Sequence, residues 1–196
     1  MSATTPKILP VTLPISVEQY SDLVAHGHFD QQTGQTELIN GRITHMNPQG
    51  PQHASPIDIL SEWSIEQTKR QFWVRVEKPI LLPNSSSVPE PDIAWVTRQS
   101  YAQRYPTYTD VHLLIEASLT SGSFDTGEKC EIYARGGIPE YWQIDTSRRE
   151  IRVYRDPLPC DVLPGSYRTL TTHGVDESIS PQCLPSAILP IAILFE

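Results

Sequence analysis

The sequence predicts one α/β domain of the α+β kind, a central mixed β-sheet flanked by helices. Three observations carry this. The run Val111-His112-Leu113-Leu114-Ile115-Glu116-Ala117-Ser118 is apolar almost throughout, as a central strand must be. Glu37-Leu38-Ile39 and Arg42-Ile43-Thr44 flank Asn40-Gly41, the strongest short signal for a hairpin. Between two strand-like runs lies a clear helix, with Asp125 as N-cap, Glu128 as its reciprocal partner and Gly136-Gly137 as its stop. The 196 residues suit a single domain, taken as residues 16–196 behind a flexible arm at 1–15.

The other elements follow in order. Ser16 caps a short first helix, Gln19 completes a capping box, and Gly27 ends the helix. The hairpin occupies residues 37–46. A turn at 50–55 precedes a helix from about Pro56 to Arg70, with Pro in its first turn and Lys69-Arg70 at its end. Residues 72–82 are rich in strand formers, 83–91 form a loop, 92–96 a strand, and 98–110 are irregular. Residues 140–145 and 150–155 pair around Thr146-Ser147-Arg148-Arg149, and the remainder reads as short strands and turns. The apolar tail 187–195 is too short to span a bilayer and carries Pro190, so it is expected to pack on the core, with no membrane partner.

Charge narrows the function classes. The net charge is −8, and a protein gripping long stretches of nucleic acid usually presents a basic face. An enzyme whose acids hold a metal remains open, because the metal repairs the local field. So does an acidic surface facing a protein partner. Arg148, Arg149, Arg152 and Arg155 are the one modest basic concentration. Three cysteines, Cys130, Cys160 and Cys183, have no short spacing; they read as reduced thiols of a cytoplasmic protein. The sequence has no glycine-rich phosphate loop and no nucleophile elbow, and no organic cofactor is expected.

Against that background, the carboxylates stand out. A glutamate in an apolar strand is expensive unless it is paired or binds metal, and Glu116 sits near the C-terminal end of such a strand. Strict alternation puts it on one face with Leu114 and Ser118, and Val111, Leu113, Ile115 and Ala117 on the other. Asp92 follows Pro91 at the start of a strand. Alone it would be an ordinary turn acid; beside Glu116 it becomes a ligand for Mg²⁺, which takes one or two carboxylates and keeps several waters. Lys129 lies four residues after Asp125, the spacing of a routine surface ion pair. If the helix leans over the end of the Glu116 strand, Lys129 instead polarises a water and offsets charge on a phosphate. Glu37 is a third candidate carboxylate, and His53, ahead of a helix, a candidate base or phosphate contact. Tyr133, Tyr141 and Trp142 read as core aromatics.

These runs resemble a known family. Pro91-Asp92-Ile93-Ala94, Leu114-Ile115-Glu116-Ala117-Ser118, and Asp125-Thr126-Gly127-Glu128-Lys129 through Tyr133-Ala134-Arg135-Gly136-Gly137-Ile138-Pro139-Glu140-Tyr141-Trp142 are similar to the restriction-endonuclease family of the Uma type, widespread in cyanobacteria and part of the PD-(D/E)XK nuclease superfamily. Glu37 to Ile43 and His53 look like its N-terminal block. The similarity spans nearly all of the chain beyond residue 15, and 129–142 is its most specific stretch. It implies a restriction-endonuclease-like core, often dimeric, and an endonuclease cutting DNA. The metal, Mg²⁺ or Mn²⁺, would sit at Asp92 and Glu116. The superfamily lysine usually follows the second acid by two residues; Ser118 stands there, and the family pattern supplies the lysine from the next helix as Lys129. The rival expectation is a catalytically silent module on the same fold, acting through protein binding or dimerisation.

Overall fold

A computed structural model describes residues 13–46, 48, 50–118, 124–159 and 164–196, without the side chains of 124–126. Helix α1 spans Val17–Ala25, and the expected capping box between Ser16 and Gln19 is formed. Strands β1 (Gln35–Ile39) and β2 (Arg42–Met46) make the hairpin. Asn40 and Gly41 both adopt positive φ, 50° and 72°, as a tight primed turn requires. Of the expected arm, residues 1–12 lie outside the described residues, whereas Ile15 donates to the Gly41 carbonyl and packs beside Tyr20 and Leu38.

Helix α2 runs Pro51–Thr68, five residues earlier than the sequence predicts. Pro51 occupies the first turn, where its missing N–H costs nothing, and Pro56 is accommodated inside the helix. The early start moves His53 into the first turn of the helix rather than ahead of it. Lys69 and Arg70 fall just past the end in left-handed conformation. Strand β3 is Phe72–Val76, shorter than the strand-former run suggests, because Glu77 at φ 48° breaks it. After a 3-10 turn at Pro83–Ser85 come β4 (Ile93–Thr97) and β5 (Val111–Ser118).

Helix α3 is Phe124–Arg135. Asp125 therefore lies inside the first turn and is not the cap. Glu128 binds Asn40 and Arg42 of the hairpin instead of closing a capping box. Gly137 at φ 81° ends the helix, with Gly136 and Ile138 donating back to Ile132 and Tyr133. Strands β6 (Glu140–Asp145), β7 (Glu150–Pro157) and β8 (Tyr167–Gly174) follow. An eight-residue β8 is more regular than the short strands expected there. The short pair β9 (Ser178–Ile179) and β10 (Leu189–Pro190) and a 3-10 segment at Ile191–Phe195 close the chain.

The central sheet has the order β3-β4-β5-β6-β7-β8 and is antiparallel except for β5 and β6. A parallel neighbour needs a crossover, and α3 supplies it. One face packs Leu113, Ile115, Trp142 and Ile144 against Ile57, Leu60 and Trp63 of α2 and the C-terminal residues Ala187, Leu189, Ile191 and Leu194, as expected for the tail. Trp63 stands 5.5 Å from Trp95 and 6.0 Å from Trp142 between ring centres. The other face packs Leu114 and Tyr141 against Ile132 and Tyr133 of α3. Val111 joins this second face, against strict alternation. A bulge shifts the register between Trp95 and Val96, so that Val96 pairs with Val111 while Trp95 pairs with Leu113, and the extra residue reverses the parity. Among the described residues, no helix is long and apolar enough to cross a membrane, and Cys130 and Cys183 carry no disulfide; Cys160 lies outside them.

Candidate active site

The site forms where the start of β4 and the end of β5 meet the first turn of α2 and the middle of α3. Register brings the two acids together. Ile93 pairs with Ile115 in antiparallel fashion, which sets Asp92 beside Glu116. Asp92 Oδ2 accepts the Ala117 N–H at 2.8 Å, so a side chain takes over where the β4 ladder ends. His53 reaches in from α2: its Nε2 lies 2.8 Å from the Ala117 carbonyl and 3.4 Å from Asp92 Oδ2.

Glu116 faces α3. Its Oε1 accepts from Lys129 Nζ at 3.1 Å and from the Tyr133 hydroxyl at 2.5 Å. Lys129 and Tyr133 are four residues apart, hence on one helical face, and that face lies over the Glu116 strand. Lys129 is only 6% exposed, so the surface ion pair that its sequence spacing allows is not its setting. Its Nζ also reaches Glu37 Oε1 at 3.2 Å. Glu37 is fully buried and accepts the Glu90 N–H at 2.6 Å. The hairpin is held to α3 by Asn40, which donates to Glu128 and accepts from Arg135.

The electrostatics follow from burial. The Glu116 carboxyl is pushed up to about 7, first by burial and further by the charges of Asp92 and Glu37, while Lys129 and Tyr133 pull it down. For His53, burial favours the neutral ring, but the hydrogen bond and charge of Asp92, with the Ala117 carbonyl and Glu116, outweigh it and hold the ring above its usual value. The Tyr133 hydroxyl is pushed well up by burial and by Glu116 and Glu37, so it serves as a donor.

Of the residues singled out in sequence, Glu37, Asp92, Glu116, Lys129 and His53 converge. Ser118 ends β5, two residues past Glu116 on its face by alternation, and its carbonyl accepts from Thr146. The Asp125 side chain lies outside the described residues. Tyr133 was expected only as a core aromatic; its spacing from Lys129 was the available signal for a role at Glu116. Among the described residues, no three His, Cys, Asp or Glu side chains form a ready-made metal cage. The donor set nonetheless fits a hard divalent cation. Hard oxygen donors are what Mg²⁺ takes, in ones and twos. Glu116 Oε1 accepts from Lys129 and Tyr133, and no described residue donates a hydrogen bond to Oε2. Burial, and then the charges of Asp92 and Glu37, raise the Glu116 carboxyl, and a cation bound there would stabilise its ionised form.

The comparisons agree with this architecture. A solved structure described as a "putative nuclease belonging to DUF820" from Anabaena variabilis is 18% identical. It matches with a TM-score of 0.69, covering 93% of this chain and 98% of that one, which shows a shared fold. No curated protein matches the sequence. The family model for Uma2, described as "Putative restriction endonuclease", matches residues 17–192, and the chain therefore belongs to that family.

Proposed function

We propose that this protein is a metal-dependent endonuclease that hydrolyses phosphodiester bonds in DNA. One observation carries the reading. A buried lysine bridges Glu116 and Glu37 at the strand end where register sets Asp92 beside Glu116. Structural lysines are rarely buried, and this one lies among carboxylates at a sheet end. Family membership supports the nuclease class.

In this reading Asp92 and Glu116 hold the cation, Mg²⁺ or its substitute Mn²⁺. When bound, the cation supplies positive charge opposite the negative charge that grows on a phosphodiester under attack. Glu37 anchors the Lys129 ammonium, which orients the attacking water and stabilises the transition state. Tyr133 fixes the Glu116 carboxylate, and His53 with the Ala117 N–H fixes that of Asp92. A homodimer and a cytoplasmic setting go with the reading; light scattering checks the first.

The test is nicking of supercoiled plasmid with Mg²⁺ or Mn²⁺, with a chelator control and Lys129→Ala in parallel. The expected loss in the variant is about 100-fold or more. Thermal melting separates lost chemistry from lost fold. Equal nicking by the variant would refute the role of Lys129. A second reading, a catalytically silent module acting through protein contacts, is favoured by the net charge of −8. It moves to first place if no metal supports nicking and none raises the melting temperature.

A further inference from the structure

We infer that Arg148 and Arg152 form a phosphate subsite for the nucleic-acid strand beside the cleavage site, an inference that rests on the nuclease reading above. The argument begins with register. Asp92 lies beside Glu116, Glu116 pairs with Gln143, Gln143 with Arg152, and Arg152 with Thr172. One polar row therefore crosses β4 to β8. The next row along, Ala94, Leu114, Tyr141, Tyr154 and Leu170, is apolar. In-register neighbours share a face, and Ile151 and Val153 pack on the opposite one, so Arg152 projects on the Glu116 side. Two strand spacings put its backbone roughly 10 Å from that of Glu116. A long arginine side chain covers much of that separation toward a phosphate next to the scissile one.

The structure divides the four arginines of this hairpin. Arg155 is on the other face, locked to Glu140. Arg149 reaches back to the Phe195 carbonyl and ring. Arg148 and Arg152 converge instead on Asp145 and Glu150 on the site face. Only one of those four contacts, Arg152 to Glu150 at 2.8 Å, is a hydrogen bond; the rest lie at 3.9–4.0 Å. Among the described residues, the buried Asp145 Oδ2 has no hydrogen-bond partner. The carboxylates thus hold the guanidinium groups in place without saturating them, and each fork keeps donors for a phosphate. Buried, neutral Gln143 stands between Glu116 and Arg152 and accepts from Tyr154, which separates the metal carboxylates from the arginines. In a chain of net charge −8, an exposed Arg148 and a partly exposed Arg152 beside the candidate site are where a polyanion is best received.

The experiment measures binding of a labelled DNA duplex without divalent metal, over a salt series, and plasmid nicking with Mg²⁺. The proteins are the parent, Arg148→Gln, Arg152→Gln, the double variant, and Arg98→Gln as an equal charge loss at the far end of β4. Each of the two site-face variants should weaken binding about tenfold and reduce the salt slope by about one, raising KM more than it lowers kcat. Arg98→Gln should match the parent. Because Arg148 is the more exposed of the two, its variant tests the inference even if Arg152→Gln proves unstable. If the parent nicks and the double variant keeps parental binding and salt slope, the subsite is wrong and the nuclease reading stands. An equal loss in Arg98→Gln overturns it too. If the parent neither binds nor nicks, both readings fall together.

Discussion

Two buried glutamates on neighbouring strands have opposite surroundings. Glu140 opens β6 on the α2 face and is fully buried. Its Oε1 accepts from Arg155 Nε at 2.9 Å, Arg155 Nη2 at 2.7 Å and Trp142 Nε1 at 2.8 Å, and its Oε2 accepts from the Gln182 N–H at 2.6 Å. Arg155 goes on to the Ser180 carbonyl, so the network ties the C-terminal segment to the sheet. Glu116 near the end of β5, on the α3 face, has donors on one oxygen only among the described residues, and burial, helped by the charges of Asp92 and Glu37, pushes its carboxyl up to about 7. A carboxylate saturated on both oxygens is a structural fastener. One saturated on a single side, with like charges nearby, holds unspent affinity for a cation. Burial alone does not distinguish the two; the count and placement of donors do.

The largest effect that tests this contrast lies at Glu140. Glu140→Ala strands Arg155 and frees the Trp142 and Gln182 donors, and removing one partner of a buried pair costs about 3–5 kcal/mol. Arg155 is partly exposed, so the lower end is expected. A drop of roughly 10 °C in Tm with nicking per folded molecule unchanged fits a fastener. Loss of nicking in correctly folded protein would break the comparison.

Next comes pH. The Glu116 carboxyl stands at about 7 in the fold against 4.5 for the free side chain. Between those values the folded protein keeps a proton that the unfolded chain has released. This contribution is fully present below about pH 4.5 and is lost as pH rises to about 7, on the order of 3 kcal/mol at most. Tm should fall across that window in the parent and fall less in Glu116→Gln. Millimolar Mg²⁺ should raise Tm at pH 8 more than at pH 5, because only the ionised pair attracts the cation. Identical pH curves for parent and variant would remove the distinction from Glu140.

The smallest effect sharpens the role of Tyr133. Tyr133→Phe deletes the hydroxyl that donates to Glu116, at a cost of about 1 kcal/mol. Because that hydrogen bond lowers the Glu116 carboxyl, its loss should move the acid limb of the pH–rate profile toward higher pH and leave the plateau rate nearly intact. An unchanged limb with lower Tm would leave Tyr133 a packing residue only.

Much of the local structure was legible. The β5 bounds, the hairpin turn at Asn40-Gly41, the Ser16 capping box and the glycine stop of α3 were read from short-range chemistry, because each is decided within a few residues. The misreadings also had local causes. Pro56 looked like a helix start because Pro favours a first turn, yet Pro51 already fills that position. Val111 was assigned to the wrong face because alternation assumes an unbroken ladder and the bulge adds a residue. Glu140 opens its strand as expected, and the expected pairing of 140–145 with 150–155 sets it opposite Arg155; the Gln182 donor, forty-two residues away, had no such local signal.

The sequence by itself determined which segments become strands and helices, and which of its residues carry chemistry foreign to an apolar core: Glu116, Asp92 and Lys129. Capping, turn and alternation rules act over a few residues, so they can be read along the chain. Only the tertiary structure decided that Lys129 meets Glu37, 92 residues away, rather than pairing on the surface. It also decided that Arg152 faces the site while Arg155 does not. Those outcomes depend on strand register and on how α3 crosses between β5 and β6. Both are set by the packing of two whole sheet faces, where a shift of one residue would turn every side chain to the other side.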